Sequence, residues 1–317
     1  MYELKHIPED FIVEEIFEPR TCDGNYTYFS ITKKNYSTMD AVRQVARALG
    51  VPMPKIGFAG AKDKRAITTQ YMSVRGDYQL KLEKLNIKDL EIRVLGTSNA
   101  PISLGAHDGN RFRITIRNLD NADVDRIKKK IGRKKKIEYI NYFGEQRISK
   151  NNVKIGRFLL QRKFKEACEL INDPGVIEYL EKNPTDFLGA IRVQPRRIVS
   201  FYIHAYQSHI WNECAQKTKA KEVPIVGYAT EFKDKDIEET AMHMIRSDGL
   251  ELRDFIMREI PNMFTEGEMR KRTVSAQDVK IEEIVQDEFF NKKSKAVVSF
   301  SLPTGSYATE FIASLFA

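Results

Sequence analysis

Gly57-Phe58-Ala59-Gly60-Ala61-Lys62-Asp63-Lys64-Arg65-Ala66-Ile67-Thr68-Thr69-Gln70 reads as a small-residue loop running into a β-strand. Glycine and alanine carry almost no side-chain bulk, so such a loop can approach a ligand closely, and glycine adopts backbone conformations closed to other residues. The run Ala66 to Val74 is rich in β-branched and aromatic residues, which marks a strand able to hold the loop rigidly. Asp63 stands as a lone carboxylate between Lys62 and Lys64, with Arg65 next. That electropositive setting draws phosphate. An acid on a strand-borne turn inside a basic surface suits chemistry on a polyanion, although an Asp that merely closes a turn would look similar.

The rest of the chain bounds this reading. Its 317 residues are enough for two packed cores. With 42% hydrophobic and 30% charged residues it has the composition of a soluble globular protein, and no apolar run approaches the roughly 20 residues that span a bilayer. The opening Met1 to His6 lacks the apolar core of a signal peptide, so a cytoplasmic location is expected. Cys22, Cys168 and Cys214 are widely separated and form no C-x-x-C pair, and no H-E-x-x-H is present, so reduced thiols and no metal centre are expected. A net charge of +8 favours a polyanionic partner with salt-dependent binding.

Upstream of the loop, Asp10 to Ile16 and Tyr26 to Thr32 alternate as half-buried strands, separated by an Asp23-Gly24 turn. Ser37 or Thr38 caps a helix whose Val42, Val45, Ala46 and Leu49 share one face, and Gly50 ends it. Downstream, Leu90 to Leu95 is a further strand, and the glycine-rich turn Leu104 to Gly109 leads into another. The polar face of that second strand carries Arg111, Arg113 and Arg117. Arginines repeated along one face can grip a phosphate backbone. The densest charge run, Arg126 to Lys136, is expected to be an exposed helix that frays near Gly132.

Ile137 to Arg147 is a strand ending in a polar and aromatic cluster. An enzyme acting on a base must extract it from its stack and hold it between apolar surfaces while an amide reads its edge. Asn141 and Phe143 supply those two kinds of group. The stretch from Ser149 to about Arg272 is more helical. One helix is expected from Val153 through Leu170 and a second from Ile198 to Lys217, with Tyr206 to His209 as core residues.

Gly-x-Lys-Asp-x-x-Ala-x-Thr-x-Gln at Gly60 to Gln70 resembles the signature of the TruD family of tRNA pseudouridine synthases, in its archaeal form. Four more stretches agree in order: Pro8 to Glu15 with the family's opening, Gly105 to Phe112 and Asn141 to Arg147 with its middle motifs, and Ser301 to Thr309 with its closing one. The chain departs from the family after Arg147, where Ile148-Ser149 replaces Phe-Gly. The resemblance implies an α+β fold: a catalytic domain, residues 1–147 plus 273–317, around a mixed, mostly antiparallel sheet, with an inserted α+β domain over residues 148–272. It also implies isomerisation of a tRNA uridine, uridine-13 in the family's usual case, with Asp63 catalytic and no cofactor. Phe11, Asn141, Phe143 and Tyr307 would meet the substrate, and Lys5 would be the ion-pair partner that orients Asp63. Lys62, Lys64, Arg65, Arg111, Arg113 and Arg147 are candidates for the RNA backbone. No membrane and no obligate protein partner is inferred. The alternatives are an RNA-binding or RNA-remodelling protein without chemistry, to which Asp63 would be dispensable, and a nucleic-acid hydrolase, which would normally want paired carboxylates and metal.

Overall fold

The computed structural model describes residues 2–260 and 263–317. The chain divides into two compact units, Met1–Ile137 with Ser275–Ala317, and Glu138–Val274. In chain order the first forms β1 (Phe11–Ile16), β2 (Tyr26–Lys34), α1 (Thr38–Leu49), β3 (Ile56–Phe58), β4 (Ile67–Arg75), α2 (Gln79–Glu83), β5 (Leu90–Ser98), β6 (Gly109–Leu119) and α3 (Asn121–Ile131). The chain passes into the second unit along β7 (Ile137–Ile140). It continues through α4 (Glu145–Ile148), α5 (Lys150–Leu160), α6 (Phe164–Leu170), α7 (Pro174–Lys182), α8 (Phe187–Val193), α9 (Arg196–Lys217), β8 (Glu222–Ile225), α10 (Lys235–Ser247), β9 (Ile256–Met257), β10 (Met263–Phe264) and β11 (Glu268–Lys271). It returns along β12 (Thr273–Gln286) and ends with β13 (Ser294–Pro303) and α11 (Ala308–Ser314).

The sheet of the first unit runs β5-β2-β4-β1-β6-β13-β12, with β3 also on β4. These pairings are antiparallel except that of β1 with β4, which is parallel with Ile12 opposite Ile67. Parallel pairing is what positions the site. The segment entering β1 and the loop entering β4 emerge side by side at one end of the sheet, bringing Lys5 and Asp63 together. Phe29 and Ile31 of β2 pack with Ala41, Val42, Val45, Ala46 and Leu49 of α1, forming a core under the loop. Ser37 Oγ caps α1 by accepting from the Asp40 N–H, and Gly50 ends it at φ 72°. The two chain ends also meet, Tyr2 stacking on Phe316 with centroids 4.3 Å apart.

Several expected elements differ. The basic run is split: Asp120 caps α3 in a capping box, the helix stops at Ile131, and Arg133 to Lys136 form an exposed link to β7. The single helix expected over Val153 to Leu170 is two, because Arg162 takes φ 58° between α5 and α6. Its guanidinium turns inward there, donating to the Asp254 and Ile256 carbonyls at 3.0 and 2.7 Å. The second unit combines its helices with short strand pairs, β8 with β11 and β9 with β10. This unit runs from Glu138 to Val274, and within it Asn141 N–H bonds Arg272 O at 2.8 Å and Asn212 grips Phe143. Among the described residues no helix is long and apolar enough to cross a membrane.

Candidate active site

Lys5 Nζ lies 2.6 Å from Asp63 Oδ2, with the two side chains 17% and 33% exposed. The same ammonium rests 4.1 Å from the centroid of the Phe11 ring. The ring quadrupole attracts the cation and limits where it can go, so the ammonium is aimed before any substrate arrives.

The loop itself is held from several sides. Thr38 Oγ1 accepts from Lys62 N–H at 2.8 Å and donates to Gln70 Oε1 at 3.0 Å, while Gln70 Nε2 donates to Gly60 O at 3.2 Å. Lys33 Nζ donates to Asp63 O at 2.8 Å and to Tyr36 O at 2.6 Å. Burial lowers Lys33 to about 8, the Asp63 charge opposing the shift and Lys62 adding to it. Lys62, expected to meet RNA, is turned inward. Its Nζ pairs with Glu15 Oε1 at 2.6 Å, the side chains being 8% and 0% exposed, because the second Glu15 oxygen already accepts from Tyr71 N–H and the carboxylate needs a cation. Beneath the loop, His107 approaches Gly60 so closely that an added Cβ would meet its ring at 3.2 Å, and burial and then the Lys62 charge lower its pKa.

The other expected residues fall into three settings. Phe11 is buried, edge-on to Phe112, which stacks on Phe300; the Lys5 ammonium lies over its ring. Tyr307 is part-exposed at the N-cap of α11. Lys64 and Arg65 are exposed, Arg65 donating to His6 O at 2.6 Å. Arg111 and Arg113 are exposed but face Glu14 at 3.7 Å and Glu282 at 2.7 Å. Arg117, on the same strand face, is no RNA contact. It is buried and bonds Asp10 at 2.8 Å, Asp287 at 3.0 Å and Glu288 at 3.1 Å.

In the second unit, Asn212 Oδ1 accepts from Phe143 N–H at 2.9 Å and its Nδ2 donates to Phe143 O at 3.0 Å, a two-point clamp. The Phe143 ring is buried, edge-on to Trp211 at 5.4 Å, with the Arg270 guanidinium 4.0 Å and that of Arg147 5.1 Å from its centroid. Arg270 Nη2 also donates to Asn141 O at 2.9 Å. Asn141 is 7% exposed, and its Oδ1 is buried without a hydrogen-bond partner among the described residues. A buried amide oxygen left unpaired is costly, so such a group is met by an ordered water, an ion or a ligand. Tyr206 to His209 belong to α9. Tyr206 and Ser208 are buried in it, with Tyr206 OH donating to Asp248 at 2.9 Å.

Lys33, Thr38, Glu15, Asn212 and Arg270 shape these surroundings without having been read from the sequence as site residues. One signal was available for Lys33: it shares the inward parity of Phe29 and Ile31 on β2, where a lysine is out of place.

A family model described as tRNA pseudouridine synthase D (TruD) matches residues 2–174, 170–223 and 216–314. The tRNA pseudouridine synthase D of Aquifex aeolicus is 28% identical over 388 aligned positions that cover 99% of this chain and 97% of the relative. A Methanococcus maripaludis protein named "Probable tRNA pseudouridine synthase D" is 30% identical over 378, covering 96% and 93%. Both alignments are longer than this chain, so the relatives carry additional segments. A crystal structure described as that of the "Putative tRNA pseudouridine synthase D (TruD)" from Methanosarcina mazei superposes with a TM-score of 0.72 at 26% identity, covering 98% of this chain and 92% of that one. With the family model spanning nearly all of its length and the fold matched end to end, this chain belongs to the TruD family.

Proposed function

We propose that the protein isomerises a uridine in tRNA to pseudouridine, with Asp63 as the essential carboxylate and uridine-13 as the position the family resemblance implies. The observation that carries this reading is the Lys5–Asp63 pair at 2.6 Å on a loop braced by Thr38, Gln70 and Lys33. Of the two carboxylates gathered here, Glu15 is fully buried with both oxygens engaged. Asp63 is one-third exposed and is the one able to meet a ligand.

In the reaction the bond from C1′ to N1 breaks and one from C1′ to C5 forms; C5 gives up a proton and N1 ends with one. The product has the same composition as the substrate, so neither oxidant nor reductant is consumed. A lone, oriented carboxylate can serve by attacking the sugar, attacking the ring, or taking a sugar proton. Phe11 is better read as the platform that aims Lys5 than as a substrate contact, given its burial. Asn141 and Phe143 are assigned to the uracil on their motif, and the unpaired Asn141 Oδ1 supports this as an acceptor for an N–H of the base edge. Lys64, Arg65, Arg111 and Arg113 remain the exposed cations for phosphate.

The test is incubation with an unmodified tRNA transcript, followed by chemical derivatisation that reports a mass-silent uridine isomer. An isomer supports the reading. Strand cleavage would point to a hydrolase, and a mobility shift with neither outcome to an RNA-binding protein.

A further inference from the structure

Lys33 lies outside the motifs that carry the family resemblance and has a setting the core does not require. It is fully buried on β2, opposite Thr68 of β4 and Leu90 of β5, neither of which titrates. Its ammonium donates to two main-chain carbonyls, Tyr36 O at 2.6 Å and Asp63 O at 2.8 Å, and among the described residues no carboxylate is hydrogen-bonded to it. Burying an ammonium without a bonded acid is costly. Methionine would fill a similar volume without that cost. The charges acting on Lys33 are those of Asp63, which favours the ammonium, and Lys62, which opposes it.

We propose that Lys33 is a positioning residue for Asp63: its ammonium ties the Asp63 main-chain carbonyl to that of Tyr36 and so fixes the direction in which the carboxylate leaves the loop. This rests on the reading of Asp63 as the reacting group. Lys5 holds the side chain at Oδ2 and Lys33 holds the backbone behind it, so the acid is fixed at both ends. A neutral amine donates weaker hydrogen bonds than an ammonium. With Lys33 lowered to about 8, the tie is present below that pH and loosens above it.

The experiment is single-turnover pseudouridine formation on an unmodified tRNA transcript between pH 6 and 9.5, with tRNA affinity and thermal melts measured alongside. The proteins are wild type, Lys33→Met, Lys33→Arg and Asp63→Asn. The wild-type rate is expected to fall above about pH 8. Lys33→Met should lose on the order of 100-fold in rate at pH 7 with affinity within about twofold, as a small misplacement of a reacting group does. Lys33→Arg should keep more of the rate, and its alkaline fall should move upward, because arginine stays charged throughout. A fall arising from the uracil ring itself would be common to both proteins. Lys33→Met at the wild-type rate, a wild-type profile flat through pH 8, or an alkaline fall unmoved in Lys33→Arg would overturn the proposal. An inactive Asp63→Asn beside an unaffected Lys33→Met takes down this proposal alone. An Asp63→Asn protein as active as wild type takes down the reading beneath it as well.

Discussion

Lys5 and Asp63 are 58 residues apart in sequence and 2.6 Å apart at Nζ and Oδ2, joined because β1 and β4 run parallel in adjacent positions. Lys5 takes φ 58° to make the contact. A left-handed non-glycine residue costs about 1–2 kcal/mol. The ion pair and the Phe11 ring at 4.1 Å offset that cost, and the conformation is retained where it serves the carboxylate.

Lys5→Met should lower the rate of isomerisation on the order of 10- to 100-fold while leaving tRNA affinity nearly unchanged, since it removes orientation rather than binding. Rates under single turnover, compared with affinities from filter binding, separate the two. Unchanged turnover would remove the ion pair from the mechanism.

The Lys62–Glu15 pair is nearly sealed from water, with side chains 8% and 0% exposed. Lys62→Met leaves Glu15 buried with only the Tyr71 N–H, and should cost about 3–5 kcal/mol in urea unfolding. The double change Lys62→Met with Glu15→Leu should recover most of that loss. A single variant as stable as wild type would show the pair to be dispensable.

Asn141→Ala is expected to separate activity from stability. The side-chain oxygen has no partner, and Nδ2 makes one long bond of 3.4 Å to Lys271 O, so truncation should shift stability by less than about 1 kcal/mol. Turnover should still fall on the order of 100-fold, because the base-reading contact proposed for Asn141 is lost. A large drop in melting temperature would make Asn141 a structural residue instead.

The sheet and much of the site were legible because their signals are local. Alternation marks β2, β4 and β6, Ser37 and Gly50 bracket α1, and the small-residue loop announces Asp63. What the sequence could not show was partnership across distance. Lys62 and Arg117 look like exposed cations until Glu15 and the Asp10–Asp287 pair are brought to them by strand pairing. A lysine or arginine on a strand face reads the same whether it meets water or a buried acid. The break at Arg162 was hidden for a related reason, since two of the carbonyls that hold its guanidinium, those of Asp254 and Ile256, come from residues more than 90 positions away.

Acid should destabilise the first unit through Glu288. Its hydrogen bonds to Arg117 and Lys295 depress it from 4.5 to about 2. The folded pKa lies below the unfolded one, so its contribution is complete above about pH 4.5 and is lost as pH falls toward 2. The side chain is 49% exposed, and screening limits the effect to at most about 1 kcal/mol. Unfolding curves from pH 6 to 2 should decline less steeply in Glu288→Gln; equal slopes would contradict the assignment.

The most direct measurement is pseudouridine formation by Asp63→Asn on an unmodified tRNA transcript, with binding followed in the same samples. Amide replaces acid without changing volume, so the loop, its Thr38 and Lys33 bonds and the exposed cations around it should persist. The expected result is tRNA bound at close to wild-type affinity with no isomer formed. Isomer appearing at the wild-type rate would contradict the central role of the carboxylate at position 63.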